Sequence, residues 1–242
     1  MTPEAIHDTD PPGAPAPLTV RANGLRLAYR IRGAQHGTPP VVLVHGRTAD
    51  SLDWATVAAA LANHRRVLAL DLSGHGRSDW PGRYSLPGFR DDLGGFLTAL
   101  QLTGADIVAH SMGGFAAALL AQDAPGLVGR LVLEESPPLL PLDPPRPPAE
   151  RPAGPLGFDW AVVPAVDRAL NAPDPAWYEG LARIAAPTLI VAGGPSSPFP
   201  QQGCARQAER IPGARLVTID AGHLVHAREP RAFLDALAAF GV

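Results

Sequence analysis

A serine at an abrupt junction between a strand pattern and a small-residue helix pattern constrains this chain more than any other feature. Ala105 to Ala109 reads as a buried strand and Phe115 to Gln122 as an Ala/Leu-rich helix, and Ala109-His110-Ser111-Met112-Gly113 joins them. A chain that turns from strand to helix in so few residues brings the two backbones close together. The flanking positions must therefore be small, as Ala109, Gly113 and Gly114 are. Such a turn strains the Ser111 backbone and pushes its Oγ out at the carboxyl end of a sheet. Alone, the pentapeptide also fits a serine capping an ordinary buried helix. Its meaning depends on what surrounds it.

Three other segments stand in register with it. Val41-Val42-Leu43-Val44-His45-Gly46-Arg47 is a continuous apolar run that ends in His-Gly, the pattern of a fully buried parallel strand entering a tight turn. Asp71-Leu72-Ser73-Gly74-His75-Gly76-Arg77-Ser78 follows a strand pattern at Val67 to Leu70. Ala221-Gly222-His223 follows another at Ala214 to Ile219 and precedes a helix that begins near Glu229. In order and spacing, these segments and the Ser111 turn resemble the α/β-hydrolase superfamily from about Leu18 to Val242. The resemblance implies the fold more firmly than any substrate, since many chemistries share this scaffold.

The rest of the chain agrees with that architecture. Two strands, Leu18 to Ala22 and Leu25 to Ile31, flank the hairpin turn Asn23-Gly24. Strand and helix patterns then alternate: helices near Leu52–Ala62, Leu86–Leu100 and Ser111–Gln122, a strand at Arg130–Glu134, another at Pro187–Val191, helices near Gln202–Arg210 and at the end to Phe240. Eight strands result, in a mostly parallel sheet covered by helices on both faces. At 242 residues one domain is expected, preceded by an acidic, Pro-rich tail at residues 1–17 that reads as disordered.

Pro137 to Pro155 breaks the composition, with nine prolines. Proline lacks a backbone donor and fixes φ, so the stretch is neither helix nor central strand. Helix patterns follow at Phe158–Leu170 and Trp177–Ile184. The resemblance places a cap after the sixth strand, here about 137–185. So small a lid implies an open, shallow pocket and an acyl substrate that is large or carrier-borne. A plain surface linker is the other reading of this segment.

A serine hydroxyl is a poor nucleophile at neutral pH without a base. The resemblance assigns that role to His223, with the chain order nucleophile, acid, base retained. His226 reads as packing at the head of the final helix, and His110 as pinned inside the turn. The acid departs from the family pattern. Where the superfamily typically reads Gly-x-x-Asp, this chain has Gly193-Gly194-Pro195-Ser196-Ser197, without a carboxylate. A variant of the pattern, similar to some haloalkane dehalogenases and lipases, takes the acid from the end of the sixth strand. This chain has Glu134-Glu135 there. Burying two adjacent carboxylates is costly unless they have partners or a function. Strand alternation sends them to opposite faces, so at most one reaches His223. Aligning Leu131-Val132-Leu133 with the usual strand favours Glu135, with Glu134, Asp220 or no acid as alternatives.

The resemblance also implies an oxyanion hole from the backbone N–H groups of Met112 and Arg47. The Arg47 side chain is either a holder of a substrate carboxylate or a solvated charge near the mouth. Asp71 and Gly74-His75-Gly76 shape the neighbouring loop. The function expected is hydrolysis of a carboxylic ester, thioester or lactone of a small acyl molecule through an acyl-enzyme, with no cofactor and no metal. A C–C bond hydrolase on the same triad and a non-hydrolytic ligand-binding protein are the alternatives. A dehalogenase would need a carboxylate at position 111.

Charge and cysteine content exclude other classes. A net charge of −3 gives no attraction to nucleic acid or anionic membrane, and no apolar run is long enough to span a bilayer. The start of the chain has no basic stretch followed by an apolar one, so it does not read as a secretory signal. The single cysteine, Cys204, allows no internal disulfide and fits a reducing, cytoplasmic setting. It reads as an incidental helix residue, not as a catalytic thiol.

Overall fold

The computed structural model describes residue 10, residues 13–34 and residues 37–242. Eight strands build its sheet: β1 (Leu18–Ala22), β2 (Leu25–Arg32), β3 (Val41–Val44), β4 (Val67–Leu70), β5 (Ala105–His110), β6 (Val128–Glu134), β7 (Thr188–Ala192) and β8 (Arg215–Thr218). Their order is β1-β2-β4-β3-β5-β6-β7-β8. β1 and β2 form the hairpin expected at Asn23-Gly24, where both turn residues have positive φ, 50° and 80°. β2 is antiparallel to β4, and every pairing from β4 through β8 is parallel.

The helices are α1 (Ala55–Leu61), α2 (Leu86–Ala99), α3 (Ser111–Asp123), α4 (Val162–Asn171), α5 (Pro175–Gly180), α6 (Gln202–Arg210), α7 (Val225–Arg228) and α8 (Pro230–Phe240). The strand pleat distributes their packing. Val42, Val44, Leu68, Leu70, Ile107, Ala109, Leu131 and Leu133 face one side, against Phe89, Leu93 and Phe96 of α2 and the Ala/Leu surface of α3. Val41, Leu43, Val67, Ala69, Val108, Val132, Leu189 and Val191 face the other, against Trp54, α1 and Phe233 and Leu237 of α8. Alternate residues of one strand thus serve two cores. This is why β3 and β4 are buried at every position and read as unbroken apolar runs.

Residues 137–185 leave the sheet after β6 and return at β7, carrying α4 and α5. The Pro-rich stretch has no regular structure, yet it is pinned. Arg146 exchanges two hydrogen bonds with the Asn171 side chain at the end of α4. Further on, Gly157 O accepts from Gly76 N–H and Asp159 N–H donates to Gly74 O. The tail expected to be disordered lies partly outside the described residues (1–9, 11 and 12). Its described part is docked: the Arg30 guanidinium binds Asp10 at 2.7 Å and the Pro15 carbonyl, and Arg32 binds the Gly13 carbonyl.

Candidate active site

The carboxyl ends of β3, β5, β6 and β7 and the loop after β8 converge on Ser111. This serine is the first residue of α3 and has φ 49°, in the left-handed region that L-residues occupy at a cost of about 1–3 kcal/mol. Packing enforces the turn. A Cβ on Gly113 would lie 2.5 Å from the His45 carbonyl oxygen and 2.8 Å from that of Val44, so α3 lies directly on the end of β3. Ser136 Oγ donates to the Ser111 carbonyl at 2.9 Å.

His223 arrives from the loop after β8. Its Nε2 is 3.2 Å from Ser111 Oγ and its Nδ1 is 3.4 Å from Glu135 Oε2. Both distances are long, as hydrogen bonds at ligand-free reactive sites often are. The loop is tied to the turn by His110, whose Nε2–H donates to the His223 carbonyl at 2.9 Å.

Glu135 stands where the sequence favours an acid, but not by strand alternation alone. β6 ends at Glu134, and Glu135 itself has φ 48°. Its N–H donates to Val191 O, and the left-handed turn aims its carboxylate at His223. The side chain is fully buried. Its Oε1 accepts from Gly193 N–H at 2.5 Å and from Gln201 Nε2 at 3.3 Å, and its Oε2 from the Ser197 hydroxyl. Burial pushes its pKa up, but the hydrogen bonds from His223, Ser197, Gly193 and Gln201 outweigh burial and hold it below the usual carboxylate range. The loop that lacks the expected carboxylate therefore supplies the donors that keep the carboxylate just after β6 ionised.

Glu134 points the other way. It accepts from the His226 backbone N–H at 2.8 Å and from His226 Nδ1–H at 2.7 Å. His226 is not at the head of the final helix. It lies within the separate short helix α7, stacked on Trp54 at 4.1 Å between ring centroids. Its Nε2 is 3.3 Å from Asp53 Oδ2 without the alignment of a hydrogen bond. Burial pushes the His226 pKa down, but Asp53 and Glu134 more than reverse this and raise it to about 9. His110 has no such partner at Nδ1, and burial pushes it down to about 4.

These two histidines give opposite pH slopes. Between pH 6.5 and about 9 the folded protein holds a proton on His226 that the unfolded chain releases. That stabilisation is complete below the unfolded pKa and is lost as pH rises through the folded one, a loss on the order of 3 kcal/mol. His110 is neutral when folded and protonated when unfolded between about 4 and 6.5, so stability also falls on acidification. Thermal unfolding should therefore show a maximum in Tm near pH 6.5. His226→Gln should flatten the alkaline limb and leave the acid limb. An equally steep alkaline limb in that variant would remove the charge from His226.

Met112 is the second residue of α3, where a backbone N–H has no acceptor within the helix and the helix dipole favours negative charge. Arg47 follows His45-Gly46, and His45 fixes that turn: its Nδ1–H donates to Gly46 O and its Nε2 accepts from Leu72 N–H. Ser111, Met112, Arg47 and His223 share a cavity of about 380 Å³ with Thr48, Phe115, Arg146, Val166, Leu170, Pro198 and Phe199. The Arg47 side chain is not simply solvated, since Nη1 donates to Asp167 Oδ1 of α4 at 2.7 Å. Arg146, Asp167, Ser197 and Phe199 were not singled out from sequence. Only the Ser-Ser pair at the place of the missing carboxylate signalled any of them.

The remaining candidates lie elsewhere. Asp71 accepts from Ser51 N–H and Arg77 N–H and braces two loops. Asp220 accepts from Ser196 N–H, and the carboxylate facing His223 Nδ1 is that of Glu135 instead. Cys204 is buried, which pushes its thiol up to about 12 and keeps it protonated. A larger groove of about 700 Å³ over α2 and α3 contains none of the residues at Ser111. Among the described residues, no group of three or more His, Cys, Asp or Glu is placed to hold a metal, and no helix is long and apolar enough to cross a membrane.

A family model for the alpha/beta hydrolase fold matches residues 39–161. An uncharacterized protein of Mycobacterium tuberculosis is 39% identical over 122 residues, which make up 50% of this chain and only 35% of that relative's length. The sn-1-specific diacylglycerol lipase of Mus musculus is 27% identical over 271 residues, covering 89% of this chain and 85% of the lipase. Among solved structures, the enol-lactonase from Burkholderia xenovorans LB400 superimposes with a TM-score of 0.78 at 25% identity, over 92% of this chain and 99% of that one.

Proposed function

Because this chain belongs to the alpha/beta hydrolase fold family, we propose that it is a serine hydrolase that cleaves a carboxylic ester, thioester or lactone through an acyl-enzyme. The observation that carries this reading is the continuous series of contacts from Ser111 Oγ through both ring nitrogens of His223 to the buried Glu135. Ser111 Oγ attacks the acyl carbon while His223 Nε2 takes its proton. Glu135 holds the ring by its Nδ1–H and stabilises the imidazolium that forms. The N–H groups of Met112 and Arg47 receive the charge that develops on the carbonyl oxygen. Collapse of that intermediate breaks the acyl C–O or C–S bond, and the leaving oxygen or sulfur takes the proton from His223; an ester or thioester thus loses its alcohol or thiol, whereas a lactone opens to a hydroxyacyl-enzyme. Water then attacks the acyl-enzyme, again deprotonated by His223, and releases the acid and Ser111. A cavity of about 380 Å³ suits a small acyl group, in place of the large or carrier-borne substrate expected from the short segment after β6.

Labelling with an alkyl fluorophosphonate tests the first step. Oγ bonds to phosphorus, fluoride leaves and the hydroxyl proton passes to His223. Mass spectrometry should find one adduct, on Ser111, and His223→Ala should lose it. A protein that stays folded by circular dichroism and takes no adduct is a binding protein on a hydrolase scaffold.

A further inference from the structure

The wall of the Ser111 cavity carries an unbalanced charge. Arg47, from the loop after β3, and Arg146, from the Pro-rich segment after β6, approach the same oxygen of Asp167, at 2.7 Å and 3.6 Å. Two guanidinium groups thus meet one carboxylate. Neither is buried away: their side chains are 27% and 29% exposed, against 12% for Asp167. Among the described residues, the Arg47 guanidinium makes one hydrogen bond, to Asp167, and the Arg146 guanidinium makes none and lies 5.3 Å over the Phe199 ring. Phe199 in turn stands edge-on to His223 at 4.9 Å. The second carboxylate in the neighbourhood, Glu135, is fully buried behind His223 and does not reach the cavity. Everything else in the lining is apolar or neutral apart from His223 itself.

The geometry points to a substrate with an anionic group, a carboxylate on the acyl chain, which the spare donors of Arg146 and Arg47 bind while the ester carbon lies at Ser111. The chain between the two ends runs along Phe115, Val166 and Leu170, which accept methylene groups but no charge. A guanidinium binds a carboxylate through paired N–H donors, and a partly closed cavity screens that attraction less than open solvent does. Asp167 does not neutralise the site, because its single negative charge meets two positive guanidinium groups. It sets their positions and links the cap to the body of the protein.

This inference rests on Ser111 as the nucleophile, so its test uses that chemistry. Two alkyl fluorophosphonates of equal chain length are compared, one ending in a methyl group and one in a carboxylate. The rate of Ser111 labelling is followed by mass spectrometry. The carboxylate probe should label about tenfold faster at low salt, and the advantage should shrink in high salt. Arg146→Met should remove most of the advantage, and Arg146→Lys, which restores the charge, should recover part of it. If both probes label Ser111 and the carboxylate probe is no faster, or its advantage survives Arg146→Met, the anionic substrate is wrong and the hydrolase reading stands. If neither probe labels a folded protein, both readings fall.

Discussion

Replacing Ser111 by Ala is expected to abolish turnover of any ester, thioester or lactone that the protein hydrolyses, with kcat falling by about 10^5-fold. Folding should hardly respond. The hydroxyl is only partly buried, its hydrogen bond to His223 is long, and the partner of its backbone carbonyl, Ser136 Oγ, is untouched. Alanine bears a Cβ as serine does, so the left-handed backbone at φ 49° costs about the same in both. Tm should therefore stay within about 2 °C of the parent. Measuring activity and Tm on the same preparation separates a lost nucleophile from a lost fold. Turnover that survives the substitution would end the acyl-enzyme mechanism.

The two adjacent glutamates should fail in different ways. Glu135→Gln keeps the volume and most of the hydrogen-bond acceptors but removes the charge that faces His223 Nδ1. The expected result is a kcat lower by about 1,000-fold, because a neutral amide neither holds the ring in the productive tautomer nor stabilises its protonated form. Glu134→Gln acts on stability. It leaves a raised-pKa His226 without its nearest counter-charge in a fully buried setting. Loss of about 3 kcal/mol, a fall in Tm of roughly 8 °C, is expected, with a much smaller change in kcat. Kinetics and thermal unfolding of both variants decide the matter. The opposite ranking would move the acid to Glu134 and sever the link between Glu135 and His223.

The sheet was legible because each strand carries its own evidence. Val41 to Val44 and Val67 to Leu70 are apolar at every position since each face of the pleat meets a core of its own. The turn at Ser111 was legible because small residues are the only ones that fit beside it. Legibility stopped where a side chain's role is set by distant partners. Arg47 and Asp167 are 120 residues apart and Glu134 and His226 are 92 apart, and no periodicity connects either pair. Arg146 lies in a stretch whose prolines say what it is not, neither helix nor central strand, without saying where it goes. Glu135 was reached by aligning Leu131-Val132-Leu133 with the strand of the resembling family, yet its aim depends on a left-handed turn that neither the alignment nor strand alternation foresees.

The partners of Ser111, His223 and Glu135 named above are His110, Ser136, Val191, Gly193, Ser197, Phe199 and Gln201, and none comes from residues 137–185. The reacting groups are braced by the sheet and its own loops. Residues 137–185 contribute Arg146, Val166 and Leu170 to the cavity wall. Selectivity can therefore drift, or be engineered by exchanging 137–185 for another sequence, without rebuilding the reactive centre. Arg47, Phe115 and Phe199 would stay behind in such an exchange, so the body keeps part of the choice of molecule and residues 137–185 carry the part that Arg146, Val166 and Leu170 make.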